Sequence, residues 1–312
     1  VAKLINIIMI KGKKSLADVP NPTRAMQLAA VRNNFKELQH IPNPCEEVQL
    51  AAIADRCYNY DQPPISFIVR PTEAAQLLSV QTNAATIRHI KNPPESVRMA
   101  AVQRAGSVLE HIEPPWSLEL QLAAVSNDGS AIRFIPDACA RVRLAAIRDE
   151  PLAIQFLQDP TEEEQIAAVQ LNPWALKHIK APTEEAQLAA VTMSEAIIQN
   201  IKHPSKAVQL AAVKQNPRAW FHIKNPSKEV TLAALARDGT IINGVSGHTE
   251  EMRLVAVRQN GLALEHIQNA SEQVEIEAIR QNWKAIQFVM NPSAEVLREF
   301  LREYVAHSVM HA

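Results

Sequence analysis

The sequence predicts an all-α protein, an α-solenoid of two-helix repeats 22 residues long, and three observations predict it. A short phrase, clearest as Val208-Gln209-Leu210-Ala211-Ala212-Val213, recurs along nearly the whole chain. Its leucine slot falls at Leu28, Leu50, Leu77, Met99, Leu122, Leu144, Ile166, Leu188, Leu210, Leu232, Leu254 and Ile276, in steps of 22, 27, 22 and 23 residues and then 22 throughout. Only 7 glycines interrupt 312 residues, which suits helix because glycine weakens helix interiors. A fixed period in the twenties signals stacked units that each contact their neighbours, so one solenoid can span residues 1–312 without a domain boundary.

Taken in order, residues 1–21 read as a worn N-terminal cap repeat. Leu4 and Met9 fall at core slots there, and Leu16 and Val19 fall where Leu38 and Ile41 fall in the next unit. Residues 22–291 make about 12 repeats. Residues 292–312 read as a capping helix with Val296, Phe300, Leu301 and Val305 inward. Terminal repeats shield an end that has no neighbour.

Within a repeat, the first helix opens on Asn or Asp followed by Pro, as at Asn43-Pro44, Asn92-Pro93, Asp159-Pro160 and Asn225-Pro226. A side-chain oxygen caps a free backbone N–H, and proline suits the first helical position. The Ser or Thr after the proline is a competing cap. Glu46, Glu95 and Glu162, three residues after the Asn or Asp, suggest a capping box. The apolar slots of this helix, Val208 and Leu210 to Val213, point nearly all round its axis, as in a helix buried on several sides. An Asn then ends it (Asn34, Asn83, Asn172, Asn216, Asn260, Asn282). The second helix is short, as in Trp174 to Ile179, and short helices are often 3₁₀.

Three places break the rhythm. Five extra residues enter around Arg56 to Pro63, with Tyr58 and Tyr60 among them. One enters near Pro114-Pro115-Trp116. Gly239, Gly244 and Gly247 mark what should be the loosest unit.

The totals exclude several classes. Net charge is −1; residues 1–156 carry 17 basic and 15 acidic side chains, residues 157–312 carry 15 and 18. Neither half favours indiscriminate nucleic-acid binding. Cys45, Cys57 and Cys139 form no metal spacing and fit a reducing compartment. The apolar run Leu4 to Ile10 is too short to span a bilayer. Its lysines follow it, the wrong order for a signal peptide, so the cytoplasm is expected and no membrane.

A solenoid repeats its surface, and three rows stand out. The second helices carry His40, Phe67, His89, His111, Phe134, Phe156, His178, His222, His266 and Phe288. Exchange with Phe and spacing near 10 Å per repeat favour ring packing over a metal site, with ring nitrogens on backbone carbonyls. Before the leucine slot runs a row that begins Gln27, Gln49, Gln76, Arg98, Gln121 and Arg143, either an inter-repeat hydrogen-bond ladder or a groove lining. Four after it run Arg32, Gln81, Gln103, Arg148, Gln170, Lys214, Arg258 and Arg280. Bases there and acids at helix starts suit the helix dipole, and a basic groove is the alternative.

The QLAAV phrase, the Asn-Pro boundary and the short second helix resemble HEAT repeats, and more closely leucine-rich-repeat variants, whose units pair an α-helix with a 3₁₀ helix. VQLAAVKQN (208–216) and LALEHIQN (262–269) resemble most closely a family of short helical repeats met in large bacteriophages and bacteria. The resemblance covers residues 22–292 and implies a fold, with no shared active site to carry over; the iron–sulfur cysteines of some leucine-rich-repeat variants have no counterpart.

No Walker loop, GxGxxG, HExxH, GxSxG or CxxC motif occurs. The expectation is therefore a protein-binding scaffold without enzymatic activity, cofactor or metal. The alternative is an anionic ligand, nucleic acid or nucleotide, held along arginine slots. Candidate partner-binding residues are Tyr58 and Tyr60, in a loop of a residue type favoured at interfaces, and Arg98, Arg104, Arg133, Arg141, Arg143 and Arg148, where arginines concentrate.

Overall fold

The structure, a computed structural model, describes residues 15–54 and 62–310. Among these residues every regular element is a helix and none is a strand. They fall into two compact units that meet in sequence at Asp159 and Pro160. In the first, the α-helices Arg24–Asn33, Glu46–Ile53, Glu73–Thr82, Glu95–Arg104, Leu118–Asn127 and Ala140–Asp149 alternate with short 3₁₀ helices from Leu16–Asp18 to Pro151–Phe156. In the second, Glu162–Leu171, Glu184–Met193, Lys206–Gln215, Lys228–Leu235, Glu250–Gln259 and Glu272–Gln281 alternate with 3₁₀ helices from Pro173–His178 to Trp283–Phe288. The longer helix Ala294–Met310 follows. Within each unit, each α-helix packs on the α-helix of the next repeat, and each short helix packs on its own α-helix and the neighbouring short helix. Each unit is a two-layer α-solenoid stack, as the period predicts.

The helix starts decide between the two competing caps. Hydroxyls of Thr23, Thr72, Ser117, Thr161, Thr183, Ser205, Ser227, Thr249, Ser271 and Ser293 accept from the backbone N–H three residues on, at 3.1–3.4 Å. The Asn or Asp before the proline has a different task. Asn21, Asn92, Asp159 and Asn225 before proline, and Asn269 before Ala270, adopt φ of 46–54°, the left-handed region that Asn and Asp tolerate better than most side chains. That residue turns the chain, and the proline lies outside the helix. The glutamates move with the cap. Glu46, Glu95 and Glu162 each open a helix and close no capping box. Thr161 and Glu164 form one instead, Glu164 accepting from the Thr161 N–H at 2.9 Å.

The Asn between the two helices serves both. Its backbone N–H ends the α-helix, as Asn216 does on the Ala212 carbonyl at 3.0 Å. Its side chain then accepts from the second residue of the 3₁₀ helix, at 3.0–3.1 Å for Asn34, Asn83, Asn172, Asn216, Asn260 and Asn282.

The core is narrower than the sequence phrase suggests. Val208, Ala212 and Val213 are fully buried, and so are their counterparts Val97, Ala101 and Val102. With them lie one Ile or Leu of most short helices, such as Leu109, Ile132 and Ile198. The leucine slot itself is half-buried in all twelve repeats, as is the residue after it. The helix therefore buries one broad face, not its whole circumference.

Two further expectations change. Gly239 is buried, and a Cβ there would sit 2.3 Å from the Ala256 carbonyl oxygen. A Cβ at Gly244 would meet the Phe221 ring at 2.6 Å. Gly239 and Gly244 thus permit close approach, whereas Gly247, at φ of 65°, has open space around its Cβ position. In the terminal helix Val296 is buried and Phe300 packs on Trp283 and Tyr304. Leu301 and Val305 point outward, 58% and 56% exposed, where the sequence suggested they face inward.

Candidate binding surfaces

Four rows of side chains cover the repeats, and three of them are occupied in holding the stack together. The glutamine row bonds mainly within its own repeat. Nε2 of Gln27, Gln49, Gln76, Gln121, Gln165, Gln187 and Gln209 donates to the carbonyl five residues earlier at 2.9–3.2 Å. Among the described residues, bonds to the next repeat come from Gln49 and Gln165, whose Oε1 atoms accept from the N–H of Thr72 and Thr183 at 2.9 Å each, and Gln49 Nε2 also reaches the Arg70 carbonyl at 3.4 Å. The expected ladder of like pairs is thus a set of loop clamps with occasional cross-links. The Oε1 atoms of Gln76 and Gln209 are buried with no partner. For Gln76 the cause is visible: the residue at the position of the Thr72 N–H is Pro94, which has none.

A second row crosses the repeats at the helix starts. Hydroxyls of Ser117, Ser205 and Ser293 donate to Glu95, Glu184 and Glu272 of the preceding repeat at 2.5–2.6 Å. Ser96 and Ser271 do the same to Glu73 and Glu250. Arg24, Lys206 and Lys228 pair with Glu47, Glu229 and Glu251 of the following repeat. Exposed pairs of this kind contribute at most about 1 kcal/mol each, so they fix register more than stability.

A third row lies five after the leucine slot, and the sequence reading passed over it. Asn127, Asp149, Gln259 and Gln281 accept from the first N–H of the preceding short helix, at Gly106, Gly129, Gly239 and Gly261, at 2.6–2.7 Å. Where that helix begins with proline there is no N–H to accept, and the slot is released. Met193 follows Pro173 in this way and Arg237 follows Pro217.

The fourth row is the leucine slot with its following residue. It runs half-exposed through Leu28, Leu50, Leu77, Met99, Leu122 and Leu144 in the first unit. In the second it runs through Ile166, Leu188, Leu210, Leu232, Leu254 and Ile276. Alanine mostly follows it, until Val255 and Glu277. Glu277 and Glu299 there accept from Arg258 and Arg280 at 3.0 and 2.8 Å. The bond from Arg280 holds the Glu299 carboxyl below its usual range.

The predicted arginines occupy five different slots. Arg98 and Arg143 share the glutamine row two repeats apart. Arg98 Nε donates to the Pro93 carbonyl at 2.9 Å, and Arg143 Nη2 approaches the Gln158 carbonyl at 3.4 Å. Arg141 lies in the first turn of its helix, and Arg104 and Arg148 lie in the last turns of theirs. All three are exposed and carry no ion pair among the described residues. Arg133, on a short helix, stacks on the Phe134 ring at 4.7 Å. Tyr58 and Tyr60 lie outside the described residues.

The histidine row is mixed. His40, His89 and His266 are half-buried, while His111, His178 and His222 are exposed. Ring nitrogens meet neighbouring side chains, not carbonyls: His40 Nε2 lies 3.0 Å from Gln39 and His89 Nε2 accepts from Arg88 at 3.1 Å. Burial lowers the His89 pKa, aided by the charges of Arg88 and His111. Burial lowers that of His248 too, aided by Arg253.

No group of three or more His, Cys, Asp or Glu suited to a metal occurs among the described residues. Among them, no helix is long and apolar enough to cross a membrane. Comparison with protein-family models, curated proteins and solved structures finds no match to this chain.

Proposed function

We propose that this chain is a non-enzymatic protein-binding scaffold whose partner lies along the α-helical face of the repeats. The observation that carries this is the half-exposure of the leucine slot and its neighbour in repeat after repeat. Packing buries most other apolar slots and leaves these partly exposed in a stripe along each unit, and contiguous apolar surface left open to solvent marks interaction sites. The pairing of each α-helix with a 3₁₀ helix supports kinship with leucine-rich-repeat variants. The likeness to phage and bacterial repeats supports a phage-encoded structural or host-interaction protein working in the host cytoplasm, in keeping with the free thiols of Cys45 and Cys139.

Affinity capture from a native host, followed by mass spectrometry, tests this. A protein retained in stoichiometric amount is expected. The double variant Leu188→Gln, Leu210→Gln should retain it at least about tenfold less well, as loss of interface anchors does. Retention of nucleic acid alone would sink the proposal. The second reading, an anionic ligand, draws on Arg104, Arg141 and Arg148, whose charges no acid neutralises among the described residues. Steep weakening with added salt would select it.

A further inference from the structure

One surface of the second unit departs from every row at once. Leu171 and Met193 occupy the last-turn slot, which in other repeats holds polar side chains such as Asn127 and Gln259. Both are 54% exposed. Release from bonding duty does not require an apolar residue, since Arg237 fills a released slot with a charge. Trp174, three residues after Leu171, is 40% exposed at the start of the short helix Pro173–His178. Lys177, in the same short helix, holds its ammonium 4.1 Å from the Trp174 ring centroid.

Lys177 also lines a cavity of about 480 Å³ between two repeats. Lys180, Lys202 and His203 share its wall, Leu176, Ile179 and Ile201 supply its apolar lining, and no carboxylate lines it. Lys180 and Lys202 have no ion pair or hydrogen bond among the described residues. The nearest helix-start acid in sequence, Glu184, is held by the Ser205 hydroxyl at 2.5 Å. Trp174 and the cavity therefore form one surface joined by Lys177, apolar at one end and cationic at the other.

We propose that this surface docks an acidic linear segment of a partner protein, lying extended across two repeats with an apolar side chain against Trp174, Leu171 and Met193. Charge complementarity selects the acid. Lys180 and Lys202 hold the same slot in successive repeats, about 10 Å apart by the usual spacing of packed helices. A peptide extended in the polyproline II conformation advances about 3.1 Å per residue with three residues per turn, so carboxylates three residues apart share a face, about 9 Å apart, and meet both lysines. The proposal rests on the scaffold reading and gives it a place and a partner chemistry.

Fluorescence anisotropy with a labelled peptide of repeating Glu-Thr-Leu tests it on the full chain. Saturable binding is expected, at least about tenfold weaker for the Gln-Thr-Leu peptide and for the variant Lys180→Glu, Lys202→Glu. Trp174→Ala should weaken it by a similar factor. Far-UV circular dichroism checks that each variant keeps its helix content. Absence of binding, or binding unaffected by these substitutions, overturns the proposal. Displacement by oligothymidylate as efficient as by the acidic peptide also overturns it, in favour of a general polyanion surface. Partner capture that depends on Leu188 and Leu210 but survives Lys180→Glu, Lys202→Glu would remove this site and leave the scaffold reading standing. Capture of no protein at all would remove both.

Discussion

A single proline tests how much one hydrogen bond is worth inside the stack. Pro94 caps its helix with no side-chain bond and leaves Gln76 Oε1 buried without a partner. Its φ of −63° and ψ of 162° match those of the threonine caps elsewhere, such as Thr161. Pro94→Thr would add a capping hydroxyl, worth about 1 kcal/mol, and supply a donor to a buried acceptor whose isolation costs about 1–3 kcal/mol. Against this stands the lost rigidity of proline in the unfolded chain, about 0.4–1 kcal/mol. The gains exceed the loss, so stability should rise by about 1 kcal/mol or more in urea titration. An unchanged or lower midpoint would mean that the Gln76 oxygen does not depend on residue 94.

At the scale of the element, the histidine row separates what could be read from the sequence and what could not. The period, the 3₁₀ second helix and the exchange of His with Phe were all legible, because each follows from residue type at a fixed spacing. The exposure of each ring was not. It depends on how far neighbouring short helices overlap, and no residue within one repeat encodes that. The same limit explains the leucine slot. Leu210 looks like core because it recurs, yet a helix in a two-layer stack has one face that no neighbour covers. The arginines concentrated near Arg143 were visible as a cluster in sequence but scatter over five slots in space. His89 offers a direct check of the row. Its pKa is lowered by burial first and then by Arg88 and His111, so the fold favours the neutral ring. The unfolded chain binds more protons between the two pKa values, so the stability from this group is present above the ordinary histidine value of 6.5 and is lost as pH falls through the folded value. His89→Phe, which puts at this slot the residue found at Phe67, should flatten the fall in melting temperature between neutral and mildly acidic pH. An identical fall in the variant would place the pH dependence elsewhere, His248 being the other lowered histidine.

For the whole molecule, the question is how far a local loss spreads. In a solenoid each repeat touches only its neighbours, so stability is close to a sum of repeat and interface terms. The described residues form two compact units, each with its own core. Asn127 links adjacent repeats of the first unit twice, accepting from the Gly106 N–H at 2.7 Å and donating to the Gln103 carbonyl at 3.0 Å. Asn127→Ala removes both bonds and leaves the buried Gly106 N–H without its acceptor, a loss of about 1–3 kcal/mol. Hydrogen exchange followed by mass spectrometry should then show faster exchange in Glu95–Arg104, Gly106–His111 and Leu118–Asn127. Protection in Glu250–Gln259 and Glu272–Gln281 should not change, because local openings there draw on their own interfaces. Uniform loss of protection in both units would show that the chain unfolds as one cooperative body. That result would change the view of binding as well. A partner docked at Lys180 and Lys202 would then stabilise every repeat, whereas with independent units it protects only the repeats it touches.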